Sequence, residues 1–196
     1  MSTNHTQLPS ELLEHHQRQW LERCPALGHG PDVSIYTDGA GWTDGWGASA
    51  FMSVFMKHSL PPVTGVNLTN QTVVSRAEFT ALLEGLQSVC EALQLPRFKP
   101  EGSQSGVTIF WFTDRQDLAL SAIRNVETGV PIYRRNNDAD LWARYEYYER
   151  GLIIFPCHFE RNSIPLQKLM DKLASDGRRK FKEWFNQIIE KHNAKS

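Results

Sequence analysis

The chain has 196 residues, 40% of them hydrophobic and 22% charged, with a formal net charge of −1. That length suits one domain with enough core to fold without disulfides or a structural metal, and near-neutrality excludes global electrostatic attraction to nucleic acid. No apolar run approaches bilayer length, so no membrane partner is expected. The three widely spaced cysteines, Cys24, Cys90 and Cys157, form neither a disulfide framework nor a zinc site.

Residues 1–30 read as a peripheral N-terminal helical extension. Ser10 is a candidate cap for a short helix through Leu12, Leu13, His16, Trp20 and Leu21, ended by Pro25 and the Gly28-His29-Gly30-Pro31 breaker. Adjacent His15 and His16 diverge on such a helix and do not make a metal site. With a polar N-terminus and reduced thiols, the protein is expected to be cytoplasmic, nuclear or nucleoid-associated, and not secreted. Any protein partner of the extension is left unidentified.

The body, residues 31–177, begins with three short runs: 33–37, 48–55 and 63–74. A glycine-rich turn (Gly39, Gly41, Gly45, Gly47) carrying Trp42 and Trp46 separates the first two, and the set reads as an antiparallel meander. From 75 to 95, Phe79, Leu82, Leu83, Leu86, Val89, Cys90 and Leu93 fall on one helical stripe. A polar loop leads to 107–113, a near-continuous apolar run of the kind buried on both faces of a sheet. Helices are expected at 116–124 and 140–150, and a strand at 152–159. A last helix runs from 163 or 165 towards 191, its stripe formed by Leu166, Met170, Leu173, Phe181, Trp184 and Ile188. Residues 178–196 continue that helix with six Lys/Arg against two Glu, a basic edge or a solvated tail. The order predicts an α/β fold: a mixed five-stranded sheet, three antiparallel strands followed by alternating helices and strands, with helices on both faces.

Four acids punctuate this order: Asp38 at the end of the first strand, Glu78 in the first turn of the long helix, Asp114 after the buried strand and Asp171 in the last helix. Each has an ordinary local explanation. Asp38-Gly39 is a turn dipeptide, Ser75-x-x-Glu78 a capping box, Asp114 an N-cap, and Asp171 a solvated helix residue. Together they fit a different arrangement, with two strand-end acids side by side in the sheet and two more on helices packed over it. Carboxylates brought together in that way repel unless a cation joins them, and hard oxygen ligands suit Mg²⁺ or Mn²⁺.

The wording around the acids resembles the ribonuclease H family, type 1. Thr37-Asp38-Gly39 before a glycine-rich hairpin, Arg76-Ala77-Glu78, Thr113-Asp114-Arg115-Gln116, Asp140-Leu141-Trp142 and Met170-Asp171-Lys172-Leu173-Ala174 are similar, in order, to that family's motifs. The resemblance covers about residues 33–176. It implies two Mg²⁺ ions, with Mn²⁺ as a substitute, held by Asp38, Glu78, Asp114 and Asp171 as catalytic residues. It also implies hydrolysis of the RNA strand of RNA–DNA hybrids to 5′-phosphate and 3′-hydroxyl ends. Gly39, Arg76 and Gln116 match positions that contact substrate. Gln167 stands where the family usually has asparagine, and Arg161 where it often has a loop histidine, with His158 nearby in sequence; both are expected on the substrate side. The alternatives are a DNA nuclease of the same fold and a catalytically inactive nucleic-acid-binding or scaffold domain.

Overall fold

Strand β1 (Val33–Gly41) is the centre of the sheet because its side chains are apolar or hydrogen-bonded on both faces: every residue from Val33 to Gly39 is buried. The structure, a computed structural model, describes residues 30–41, 47–69, 73–98, 105–124, 131, 138–161 and 163–193. Residues 1–29 of the N-terminal extension, Trp42 and Trp46 lie outside the described residues.

Around β1 stand β2 (Gly47–Phe55), β3 (Val63–Thr69), β4 (Thr108–Thr113) and β5 (Ile153–His158), in the order β3-β2-β1-β4-β5. The β1/β2 and β2/β3 pairs are antiparallel, and the β1/β4 and β4/β5 pairs parallel. The mixed five-stranded α/β sheet expected from the sequence is therefore present. Helices α1 (Val74–Ala92), α2 (Gln116–Ala122), α3 (Ala139–Glu149) and α4 (Pro165–Asn193) complete it.

Period-two alternation divides the core into two layers. Val33, Ile35, Ile109 and Trp111 meet Phe79, Leu82, Leu83 and Leu86 of α1 and Leu141, Trp142 and Tyr145 of α3. On the opposite face Tyr36, Met52, Phe110 and Phe112 meet Ile164, Leu166 and Met170 at the start of α4. Phe79 anchors the first layer, its ring 4.3 Å from that of Trp142. Tyr36 stacks on Phe112 at 4.7 Å in the second.

Several local expectations change. Asp38 lies inside β1, paired with Ala50, so Asp38-Gly39 is strand and not turn. The third strand stops at Thr69, and Val74 belongs to α1. The α1 N-cap is Val73 and makes no side-chain cap bond. Ser75 and Glu78 are therefore no capping box, because Glu78 turns inward to the sheet. Asp114 is not a cap either, since the α2 N-cap is Arg115. Finally, the apolar stripe of α4 does not stay buried. Gly177 reaches Val66 on β3, the last strand on that side of the sheet among the described residues, and Trp184 is 54% exposed.

Candidate metal centre

Parallel pairing places the two strand acids. β1 and β4 pair with Tyr36 opposite Phe112, and two residues further along the same register puts Asp38 opposite Asp114. Both share the parity of Tyr36 and Phe112, so both belong to the α4 side of the sheet. Thr37 and Thr113 precede them and share the parity of Ile35 and Trp111, on the α1 side.

Glu78 arrives from that other side. It is completely buried, and its Oε1 accepts hydrogen bonds from Thr113 Oγ1 at 2.7 Å and Thr37 Oγ1 at 3.1 Å. Thr37 Oγ1 in turn accepts from Trp111 Nε1 at 2.8 Å. The second oxygen of Glu78, Oε2, is buried with no hydrogen-bond partner among the described residues. Asp38, Glu78 and Asp114 each present a carboxylate oxygen, all within 4.8 Å of one another. An unsatisfied buried carboxylate costs several kcal/mol. That cost is tolerable because Phe79, Leu82, Leu83, Leu86 and Val89 of α1 are all fully buried, each contributing about 1.5–3 kcal/mol.

The electrostatics follow from this crowding. Burial first, then the Asp114 carboxylate, pushes Asp38 up to about 7, although Gly39 N donates to its Oδ1 at 2.7 Å. Burial, then Asp38, pushes Glu78 well above the usual carboxylate range. Both groups are held in a setting that penalises negative charge, which a bound cation reverses. Three oxygen ligands, one of them orphaned, form a group that can hold a metal ion.

Close approach of α1 to β1 is what brings Glu78 in. A Cβ on Gly39 would collide with Glu78 N and come within 2.9 Å of Ala77 C and Val74 O. Gly39→Ala is therefore expected to lift the first turn of α1 and to destabilise the protein by about 1–3 kcal/mol. Urea titration measures the loss, and unchanged stability would show that the helix tolerates the methyl group.

The remaining predicted residues are dispersed. Asp171, on α4, stands outside the set of three, close enough to contribute to the upward shift of Asp38. Arg161 lies between acids: its Nη2 is 3.0 Å from Asp171 Oδ1 and its Nε 3.8 Å from Asp114 Oδ2. Gln167 is buried and donates from Nε2 to Thr37 O at 2.7 Å, tying α4 to β1. Arg76 is turned away, bonded by Nη1 to Asp138 at 2.7 Å and Asp140 at 2.8 Å and by Nη2 to Asp140. It clamps the start of α1 to the start of α3, where Asp138 adopts a left-handed conformation with φ 54°. Gln116 is exposed at the start of α2, and His158 closes β5. The sequence reading missed Thr37, Thr113 and Trp111 as supports of Glu78; the signal was the repeated Thr-Asp dipeptide, within β1 and at the end of β4.

No family model and no curated protein matches this chain by sequence. Solved structures do match it in shape. LC11-RNase H1 in complex with an RNA/DNA hybrid superposes with a TM-score of 0.52 at 15% identity, covering 76% of this chain and 97% of that one. The N-terminal RNase H domain of Rv2228c from Mycobacterium tuberculosis, solved as a fusion with maltose-binding protein, gives 0.52 at 16% identity, covering 76% and 95%. LC9-RNase H1, a type 1 RNase H with the type 2 active-site motif, gives 0.52 at 14% identity, covering 76% and 73%. The fold is therefore ribonuclease H-like, and Asp38, Asp114 and Glu78 of α1 form on it an acidic group that could hold a metal ion.

Proposed function

We propose that the protein is a metal-dependent endoribonuclease that hydrolyses the RNA strand of RNA–DNA hybrids, leaving 5′-phosphate and 3′-hydroxyl ends. The observation that carries this reading is Glu78 Oε2, a fully buried acceptor without a donor among the described residues, beside Asp38 and Asp114. Hydrogen-bond donors among the neighbours satisfy only its other oxygen. A divalent cation would supply what the pocket lacks. The RNA/DNA hybrid bound by one structural neighbour supports the choice of substrate.

Asp38, Glu78 and Asp114 would hold Mg²⁺, or Mn²⁺ in its place, and Asp171 would complete the site for a second ion. Bound there, the ions supply Lewis acidity toward the scissile phosphate and a water of lowered pKa. The chain's own residues do the rest. Thr37 and Thr113 fix the Glu78 carboxylate, so that Oε2 alone is offered to the pocket. Gln167 holds the α4 start against β1 and sets the position from which Asp171 extends. By the family resemblance the backbone of Gly39 and the exposed side chain of Gln116 would contact the substrate, where contacts to 2′-hydroxyls would distinguish RNA from DNA. Arg76 acts at one remove, by fixing the α1 start that carries Glu78.

The test is cleavage of a uniformly labelled RNA–DNA hybrid in Mg²⁺ and in Mn²⁺, with DNA and RNA duplexes alongside and Asp114→Asn as control. Cutting confined to the RNA strand of the hybrid, and lost in the variant, is expected. A hybrid left intact in both metals would overturn the reading, and cutting of the DNA duplex would replace the substrate.

A further inference from the structure

We propose that Arg161 is an internal counter-ion of the acidic pocket, which a divalent cation must displace to bind, so that this one side chain sets the metal concentration the site requires. The inference rests on the metal-binding reading above and goes beyond it in assigning a competitor.

Three carboxylates within 4.8 Å of one another, with Asp171 adding to their field, are a concentration of acidic groups whose charge is relieved only by protonation or by a nearby cation. Among the described residues the other nearby guanidiniums make their hydrogen bonds elsewhere, although the charge of Arg115 is also felt by Glu78 and Asp114. Arg115 is bonded in fork fashion to Asp117 at 2.9 and 2.8 Å, and Arg76 to Asp138 and Asp140. Arg161 is different: it reaches back from the β5–α4 connection and faces two of the four acids at once.

Its position conflicts with a metal in two ways. Asp171 Oδ1, at 3.0 Å from Nη2, is already engaged by a hydrogen-bonded cation. Asp114, 3.8 Å from Nε, is a member of the metal-suited group itself. A divalent ion drawing on both carboxylates would stand within a few ångströms of a fixed positive charge, and like charges at that separation repel strongly. The arginine can leave at little cost because its side chain is 68% exposed, and exposed ion pairs of this kind are individually weak. Displacement is thus affordable for a divalent ion, yet it reduces the ion's apparent affinity.

Isothermal titration calorimetry of the full chain with MgCl₂ and MnCl₂ tests the competition, using wild type, Arg161→Gln, Arg161→Lys and Asp38→Asn. Arg161→Gln should tighten metal binding by about threefold to thirtyfold, the range expected when two weak ion pairs no longer have to be broken. Arg161→Lys keeps the charge and should remain near wild type. Metal-free Arg161→Gln should melt below wild type, and saturating Mg²⁺ should erase the difference. Equal affinities in wild type and Arg161→Gln would overturn the proposal and leave the metal reading intact. Weaker binding in Arg161→Gln would overturn it as well, because the arginine would then assist the ion. Absence of binding in wild type and Arg161→Gln alike, at tens of millimolar metal, would remove the metal reading and this inference with it. Loss of the binding heat in Asp38→Asn identifies the heat as that of this pocket.

Discussion

Glu78→Gln should lower hybrid cleavage in Mg²⁺ by at least about a thousandfold while the metal-free variant melts higher than the wild type. Lewis-acid stabilisation by a bound metal supplies several kcal/mol, and each 1.36 kcal/mol is tenfold in rate. Glutamine keeps the oxygen that accepts from Thr113 and Thr37, so the local packing survives. What changes is the other end of the side chain. A neutral amide that can donate towards Asp38 takes the place of the orphaned Oε2. The amide resembles a protonated carboxyl, so the gain in stability should increase with pH, as the wild-type glutamate is forced to ionise. Cleavage rates and melting in EDTA across pH read the two effects separately. A variant that is less stable and inactive would mean that Glu78 is structural, and an active variant would end its role as a ligand.

In EDTA the wild-type protein should lose stability as pH rises from about 4 to about 7, with Asp38 as a main source of the slope. Unfolded, an aspartate titrates near 3.9; folded, Asp38 titrates near 7. Between those values the folded state holds more protons than the unfolded state, so the stabilising contribution is complete below about 4 and lost through about 7. A gap of that width is worth up to about 4 kcal/mol. Asp32, Asp117 and Asp140 act in the opposite sense, since hydrogen bonds and cationic partners hold them below the usual range. Their contribution is gained as pH rises through the unfolded value, and so is complete before the Asp38 decline has run its course. Asp38→Asn should flatten the decline between 4 and 7, and so should saturating Mg²⁺ in the wild type. Urea titrations at several pH values measure it, and a wild-type profile that rises or stays level across that interval would contradict the buried, mutually repelling pocket.

Much of the fold was legible in the chain because hydrophobic period tracks secondary structure. The α1 stripe Phe79, Leu82, Leu83, Leu86 and Val89 is buried as its spacing requires. The apolar run 108–113 is a strand covered on both faces. That Asp38 and Asp114 share a face was also within reach of sequence reasoning, since acids two residues beyond the Tyr36–Phe112 pair on neighbouring parallel strands have matched parity. Where local chemistry offered a self-sufficient explanation, that explanation does not hold, and the arrangement the four acids suggested together comes closer. Ser75-x-x-Glu78 and Asp38-Gly39 have the form of a cap and a turn, and propensity alone cannot show that Glu78 instead faces two threonines from distant strands.

The sequence by itself determined the order of elements, the class of sheet and the acids available to it, because periodicity and residue type are local properties. Only the tertiary structure decided which groups each side chain answers to. It turned Arg76 towards Asp138 and Asp140, set Gln167 on the Thr37 carbonyl, and laid Arg161 across Asp114 and Asp171. These partners lie 10 to 130 residues apart in the chain. Hydrogen bonds and ion pairs act over a few ångströms, so their partners are fixed by packing and register and leave no periodic trace in the sequence.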